Sequence, residues 1–356
     1  MRIDVRRSAY LPPSSAALLG LATGRPAASH EAWLLPPSEI VRLEAAPLPE
    51  LFTSPWSMGV AAAAAIVILA GALRVEPFLR TAERRWLGAL PRMAAELGPL
   101  VLRLGMAVML ALAGTGGLPR HGTALWAEPT LFVPDMQLSL APGWAWLSGV
   151  QLALALVLAA GFLTRLAGLV LAALALAGLG AFGSPFLDYA PHFIAPGLIL
   201  VILGAGRLSI DHALGSQGVM QPSHHLAKVA WNSALALMGG GFIYLGLTCK
   251  LAQPALLMAI LDHGGVPLFG LPLAVAALIM TAVELVAGAL LAIGRLTRPV
   301  ALFLTMAFTF FSVTLGENPF FHANLYGVMV ILLLSGSDVP QMRGLRNVVD
   351  GGAVAG

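Results

Sequence analysis

The feature that most limits the fold of this chain is a series of long apolar runs. Each run holds about 18–22 residues, the length that an α-helix needs to cross about 30 Å of hydrocarbon. Of the 356 residues, 58% are hydrophobic and only 10% are charged, whereas a soluble protein carries about 25% charged residues. The sequence therefore predicts an all-α polytopic membrane protein, because a membrane β-barrel would show short alternating segments instead.

The runs predict about nine transmembrane helices. Arginines follow the odd-numbered runs, and positive charge at the ends of spans marks the cytoplasmic side. This pattern predicts a multi-pass protein of the bacterial inner (plasma) membrane, with its N-terminus outside and its C-terminus in the cytoplasm. The predicted spans are 57–73, 98–116, 144–163, 167–182, 194–206, 230–248, 271–293, 300–315 and 321–334.

One stretch of sequence occurs twice. Residues 281–298 repeat the pattern of residues 148–165 at an offset of 133 positions, and both stretches end in a Gly-x-x-Thr-Arg turn. Glu284 in the later stretch corresponds to Gln151 in the earlier one. The similarity continues through the following spans, so each copy holds four spans, an even number. This predicts two parallel four-helix repeats, related by an axis along the membrane normal, after one N-terminal helix.

The spans and repeats divide the chain into seven segments. Residues 1–29 have a charged start, a short apolar core and small residues before Ser29, which fits either a secretory signal peptide or a disordered arm. The other segments are an extracytoplasmic N-terminal segment (30–56), the first transmembrane helix with a cytoplasmic loop (57–97), repeat 1 (98–210), a cytoplasmic linker (211–229), repeat 2 (230–338) and a cytoplasmic tail (339–356).

Glu284 lies near the middle of the seventh span, where an ionised carboxylate costs several kcal/mol. Thr281, Glu284 and Gly288 share one helix face, and small residues on that face let another helix approach closely. In the predicted topology no Lys or Arg lies at this depth. We therefore expect a neutral carboxyl group that faces the bundle interior. It is either a catalytic acid or a structural hydrogen-bonding group, and Gln151 is expected to pack in the same way without charge.

Two histidines lie at equivalent outer ends of spans five and nine. His192 recurs as His322 at an offset of 130, and Glu317 is close to His322 in sequence. These residues either frame a cofactor site or cap helices at the interface. No HxxxH or HExxH spacing occurs, and the single cysteine excludes a CxxC pair, so no metal site is predicted. The candidate cofactor-binding set is Gln151, His192, Glu317 and His322.

Three stretches carry a resemblance to a known family. They are the helix end Glu284…Gly294-Arg-Leu-Thr-Arg298, the outward helix 240–250, and the close of the first repeat at 204–211. Together they resemble the DoxX-like family of four-span membrane proteins over about residues 98–338. Members of that family have been linked to thiosulfate:quinone oxidoreductase. Gln151 departs from the family pattern, which has an acidic residue, so a charge-dependent role would fall to the second repeat.

The resemblance implies an integral membrane subunit of a respiratory or sulfur-linked redox system. Such a subunit would anchor a redox partner protein and contact quinone, and whether it is itself catalytic stays open. The alternatives are a small-solute or proton-coupled transporter that uses Glu284, and a non-catalytic membrane assembly factor. The predicted partners are the lipid bilayer and a protein subunit. Nucleic acid is excluded, because the arginines lie at helix ends rather than in a patch.

Overall fold

The computed structural model describes residues 35–87, 90–117, 128–316 and 319–339. The predictions for residues 1–29 and for most of the tail lie outside these ranges. Within the described residues the protein is all-α, with thirteen α-helices. They are α1 Pro37–Glu44, α2 Glu50–Thr53, α3 Pro55–Trp86, α4 Leu90–Thr115, α5 Leu147–Ala160, α6 Thr164–Phe182, α7 Ala190–Leu203, α8 Ile210–Ala213, α9 His224–Leu245, α10 Pro254–His263, α11 Leu273–Ala292, α12 Thr297–Thr314 and α13 Ala323–Ser335.

Seven helical segments among the described residues are long and apolar enough to cross a membrane. They correspond to predicted spans one to four and six to eight, and the chain is a multi-pass membrane protein on this ground. The segments predicted as spans five and nine are shorter helices, α7 with 14 residues and α13 with 13. The seven are Pro55–Glu83, Glu96–Thr115, Pro142–Ala160, Thr164–Phe182, His224–Leu251, Leu273–Ala292 and Thr297–Thr314.

Two predicted loops are helical instead. Helix α3 runs past its predicted end at position 73 and continues through Pro77 to Trp86. Arg80, predicted to lie in a loop, pairs with Glu76 one turn earlier at 2.9 Å, and such a pair stabilises a continuing helix. The predicted outer loop after span six contains α10, which begins at Pro254. Proline suits that position, because the first helical N–H has no partner within the helix.

Helices α4 and α9 lie at the centre of the bundle. Helix α4 packs against α5 and α13, and α9 packs against α7 and α11. Glycines permit these close crossings: a Cβ atom at Gly239 of α9 would collide with the carbonyl oxygen of Gly288 on α11. Gly168 of α6 and Gly197 of α7 make a second crossing of this kind. Small residues at such contacts favour helix association in membranes, where the hydrophobic effect does not drive it.

Three arginines, two of them buried and Arg298 largely so, stabilise the ends of three helices. The guanidinium groups donate hydrogen bonds to carbonyl oxygens in the last turns of α5, α7 and α13. Carbonyl oxygens in the last turn of a helix have no N–H partner within that helix. The sequence explains Arg165 and Arg298 by membrane topology alone, and the structure adds a packing role. The donor–acceptor pairs are Arg103–Leu158 (2.8 Å), Arg165–Val201 (3.1 Å) and Arg298–Leu333 (2.9 Å).

The N-terminal helix α3 is fastened to the later half of the chain at both of its ends. At its C-terminal end, Glu76 pairs with Arg295 at 2.9 Å and Glu83 pairs with Arg298 at 2.7 Å. Beyond its N-terminal end, Phe52 of α2 joins an apolar cluster with residues of α10 and α11. Helix α1 packs against α10 in a neighbouring apolar cluster. The segment 35–53 therefore covers the end of the bundle at which α11 begins.

Candidate functional site

Glu284 lies on the face of α11 that the sequence predicted. Gly288, four residues later, contacts Gly239 of α9, so this face packs against α9. The Glu284 side chain is 14% exposed. It points toward the segment in which α9 continues as a π-helical turn, Gly246–Leu251. Turns of π-helix are rare in proteins, and a large share of those that occur lie at functional sites.

The cation beside Glu284 is Lys250. The Lys250 Nζ atom lies 2.9 Å from Glu284 Oε2, and both side chains are 14% exposed. The topology predicted from the sequence places no cation at the depth of Glu284, and this prediction was wrong. The reason is the π-helical turn, which extends α9 by six residues and carries Lys250 to the level of Glu284. The expectation of a neutral Glu284 rested on the missing cation and therefore loses its basis.

A cavity of about 480 Å³ lies against this ion pair; we call it the Glu284 cavity. It is bounded by α9, α11, α12, the start of α13 and His192 of α7, and its size falls within the range of about 300–1,000 Å³ typical of small-molecule sites. Among the described residues that line it, Lys250 and Glu284 bear full charges. His192, His322 and Cys249 add three further reactive groups, and the rest of the wall is almost entirely apolar. The structure thus brings Glu284, His192 and His322 together.

A row of aromatic rings connects the two histidines along one wall of the cavity. The His192 ring centroid lies 4.8 Å from that of Phe242. The Phe242 and Phe308 centroids are 6.0 Å apart, and those of Phe308 and His322 are also 6.0 Å apart. The His192 carbonyl oxygen accepts a hydrogen bond from Asn324 Nδ2 at 3.3 Å. The histidines therefore lie at the two ends of a packed aromatic wall that joins α7 to α13.

Gln151 is not among the residues that line this cavity. It is completely buried on α5, where its Oε1 atom accepts a hydrogen bond from the Phe132 N–H at 2.9 Å. Its Nε2 atom donates to the Thr130 carbonyl oxygen at 2.7 Å. The Phe132 ring stacks on Phe193 with centroids 4.0 Å apart. These contacts match the structural interpretation of Gln151. Cofactor contact at Gln151 stays a prediction, and Glu317 lies outside the described residues.

The loop that Gln151 holds is itself tightly ordered. Thr130 and Gln137 form an antiparallel bridge, and Phe132 has a positive φ of 64°, which is uncommon for a residue with a side chain. The Tyr189 hydroxyl donates to Asp135 Oδ2 at 2.7 Å. Burial raises the pKa of Tyr189 well above its ordinary value and the Asp135 carboxylate adds to this, so the phenol remains a hydrogen-bond donor at neutral pH.

Sequence reasoning missed Lys250 and Cys249 as cavity residues. The available signal was local: Leu247-Thr-Cys-Lys-Leu-Ala252 places a lysine between apolar residues, directly after a glycine-rich helix. A lysine in that context is expected to have a partner inside the protein. No group of three or more His, Cys, Asp or Glu side chains that could hold a metal ion is found within the part of the chain that the structure describes.

Comparison of the chain with protein-family models, with curated proteins and with solved structures found no match. The resemblance to DoxX-like proteins therefore stays a prediction. The class that the fold defines is a multi-pass helical membrane protein. Its distinguishing feature is an apolar cavity that contains the Lys250–Glu284 ion pair.

Proposed function

We propose that this protein is an integral membrane subunit of a respiratory or sulfur-linked redox system, and that it binds quinone in the Glu284 cavity. The observation that carries the proposal is the composition of the cavity wall: one Lys–Glu ion pair and two histidines among apolar side chains. A quinone is an apolar ring with two carbonyl oxygens. Apolar cavities with a few well-placed polar groups are the usual sites for such ligands.

The polar groups of the cavity match the two forms of a quinone. The Lys250 ammonium group only donates hydrogen bonds, which suits a carbonyl oxygen, and the ionised Glu284 carboxylate only accepts them, which suits a hydroxyl. A histidine ring serves in either role. A bound quinone would carry two electrons and two protons, with a redox partner protein as the source or acceptor of the electrons. The residues of this chain would bind and orient the ring.

The binding of a tail-less 1,4-benzoquinone to the protein in phospholipid nanodiscs tests this proposal. Lys250→Met is expected to weaken binding of the quinone, and Glu284→Gln to weaken binding of the corresponding hydroquinone, each by about tenfold or more, because a hydrogen bond to a charged group contributes about 1.5–3 kcal/mol. Equilibrium dialysis or calorimetry measures the change. Glu83→Gln is the matched control: it removes the carboxylate that pairs with Arg298, away from the cavity, and should bind quinone as the wild type does.

The double variant Lys250→Met/Glu284→Leu separates lost binding from lost folding. It removes both charges together, so no unpaired charge remains in the bundle, and a well-packed apolar replacement of an ion pair is often tolerated. The proposal expects this variant to be folded and unable to bind quinone. Wild-type affinity in the double variant, or no binding by the wild-type protein, would contradict the proposal.

A proton-coupled transporter of small solutes is the second candidate. The observation that favours it is the Lys250–Glu284 pair within apolar helices, since a proton that neutralised Glu284 would break the pair. Proteoliposomes with a trapped pH indicator test this candidate. Solute-dependent proton uptake that Glu284→Gln abolishes would favour transport over redox function, whereas quinone binding without such uptake would exclude it.

We also propose that α4–α7 and the set α9, α11, α12 and α13 derive from one four-helix unit present twice in the same orientation, with α10 as an additional short helix in the second copy. Support comes from matched backbone conformations at the ends of corresponding helices. At the end of the last helix of each unit, Gly336 matches Gly204, which has similar φ and ψ angles. The sequence offset of 130 positions seen for the two histidines would instead pair Gly336 with Gly206. The matched pairs are Gly161/Gly294 (φ 65° and 64°), Leu163/Leu296 (46° and 48°) and Gly204/Gly336 (69° and 69°).

For orientation we propose an inner-membrane protein with the N-terminus outside and the C-terminus in the cytoplasm. Support comes from the clustering of Arg80, Arg295 and Arg298 at one end of the bundle, since basic residues favour the cytoplasmic side. A cysteine at the exposed position His225, near the start of α9, should react with an impermeant reagent only after cells are broken. Labelling in intact cells would reverse the orientation.

A further inference from the structure

A second cavity, of about 710 Å³, lies on the other side of α11; we call it the α3 groove. It runs along α3 from Trp56 to Ile68 and along α11 from Val275 to Leu290. At 1.5 Å per residue these stretches are about 18 Å and about 22 Å long. Among the described residues that line it, Ser57 and the indole N–H of Trp56 are the polar side-chain groups. The groove is therefore long, narrow and apolar.

The way in which α3 is attached keeps this groove open. The helix is held by Glu76–Arg295 and Glu83–Arg298 ion pairs near one end, and by the packed α2 segment at the other. Between these attachments, the residues of α3 that line the groove include the small residues Ala61, Ala64 and Ala65. A helix fixed at both ends, with small side chains between, leaves space that larger residues would fill.

The α3 groove and the Glu284 cavity meet at three shared residues. Ile279, Val283 and Phe303 line both spaces. Val283 is 37% exposed and Phe303 is 47% exposed, as expected for side chains between two open volumes rather than in a packed core. Because Glu284 directly follows Val283 in α11, a polar group bound at the ion pair lies immediately beside the groove.

We propose that the ligand of the Glu284 cavity carries a long hydrocarbon tail, and that this tail lies in the α3 groove. The head group contacts Lys250 and Glu284, and the tail passes between Val283 and Phe303 toward α3. This assignment rests on the proposed binding of quinone at Glu284 and adds the class of molecule: a membrane-soluble quinone with an alkyl or isoprenoid chain.

The dimensions favour this tail over an acyl chain of a bilayer phospholipid. The groove is about 22 Å long along α11, whereas one leaflet of a 30 Å hydrocarbon core is about 15 Å thick. A phospholipid chain starts at a head group on the membrane surface and stays within its leaflet. A tail that starts beside Glu284 begins part-way along α11, where the two spaces meet. From this point the groove extends along α11 in both directions, toward Val275 and toward Leu290.

Two probes with the same ring test the assignment: a tail-less 1,4-benzoquinone and its n-decyl derivative, with the full-length protein in nanodiscs. Ala65→Phe places a ring in the groove, and Ala63→Phe places the same ring on α3 outside it. Overpacking of this kind is expected to weaken binding of the decyl quinone by about tenfold in Ala65→Phe relative to Ala63→Phe. The tail-less quinone should bind both variants equally. The decyl tail partitions into the nanodisc lipid to the same extent with either variant, so this partition does not affect the ratio of the two affinities.

The outcomes separate the tail assignment from the proposed function. Equal decyl-quinone affinity in the two variants, with intact binding of the tail-less ring, overturns the tail assignment alone. Failure of both quinones to bind the wild-type protein overturns both. Loss of a co-purified phospholipid from Ala65→Phe, with unchanged decyl-quinone affinity, assigns the groove to a bilayer lipid and also overturns the inference. If Ala65→Phe does not fold, Ala64→Leu adds less volume to the groove and supports the same comparison.

Discussion

The regions around Gln151 and Glu284 occupy matching places in two similar stretches of sequence, yet one is filled and the other is hollow. At Gln151, the loop at 130–137 enters the bundle and its Phe132 ring stacks on Phe193. At Glu284, the space is a cavity of about 480 Å³, and Lys250 provides the partner group. The two regions therefore differ in both the polar residue and what surrounds it.

The hydrogen-bonding capacity of the two side chains explains the difference. An amide has donor hydrogens and an acceptor oxygen, whereas an ionised carboxylate only accepts. Gln151 can therefore satisfy a peptide N–H and a carbonyl oxygen of the same loop. A carboxylate in its place would face the Thr130 carbonyl oxygen without a proton to share. Glu284 needs a cation instead, and a single lysine side chain leaves room for a ligand.

Phe132→Ala should cause the largest loss of unfolding free energy, because it removes the ring that fills the region around Gln151. Truncation of a buried phenylalanine costs about 3–5 kcal/mol, and Phe132 is completely buried. Reversible unfolding in mixed detergent micelles measures the loss. The matched control is Phe310→Ala: Phe310 lines the Glu284 cavity and is 40% exposed, so about 1 kcal/mol or less is expected. Similar losses in the two variants would mean that the filled region is not better packed than the hollow one.

Lys250→Met should have the next largest effect, because it leaves the Glu284 carboxylate without its cation. Removal of one partner from a buried ion pair costs about 3–5 kcal/mol, and the unpaired charge accounts for much of that. With 14% of each side chain exposed, we expect about 3 kcal/mol, the lower end of this range. The same unfolding measurement applies, and the variant and the wild type are compared at the same neutral pH.

The double variant Lys250→Met/Glu284→Gln provides the control for that prediction. Once Glu284 is uncharged, the absence of Lys250 should cost little, so the double variant should regain most of the lost stability. This non-additivity is the measured energy of the ion pair. Strictly additive losses would mean that Lys250 and Glu284 do not stabilise each other, and that Glu284, like Gln151, depends on other neighbours.

Much of the helical framework could be predicted from local sequence. Apolar runs of spanning length identified seven segments that are long apolar helices. The spacing of Thr281, Glu284 and Gly288 identified the face of α11 that packs on α9, where Gly288 contacts Gly239. These features follow from the length of the apolar runs and from helical periodicity alone. They can therefore be predicted without knowledge of the tertiary contacts.

The chemistry of the site could not be predicted in the same way. Lys250 reaches Glu284 because α9 ends in a π-helical turn, and although a lysine among apolar residues suggests an internal partner, the six residues of the turn give no sign that the helical register widens there. The contact of Gln151 with the loop at 130–133 joins residues about 20 positions apart through peptide groups, which every sequence provides. Both features depend on tertiary geometry rather than on residue pattern.

Glu83→Gln should have a smaller effect than Phe132→Ala and Lys250→Met, and it sharpens the comparison at the helix ends that carry Arg165 and Arg298. Arg298 binds the carbonyl oxygens of its neighbouring helix and the Glu83 carboxylate at 2.7 Å, whereas Arg165 binds carbonyl oxygens. The glutamine still accepts a hydrogen bond, so we expect a loss of about 1 kcal/mol in unfolding free energy. Glu39→Gln, in an exposed pair with Arg42, should lose about 0–0.5 kcal/mol. A loss at Glu83 as large as that of Lys250→Met would mean that the carboxylate, and not the carbonyl oxygens, holds Arg298 in place.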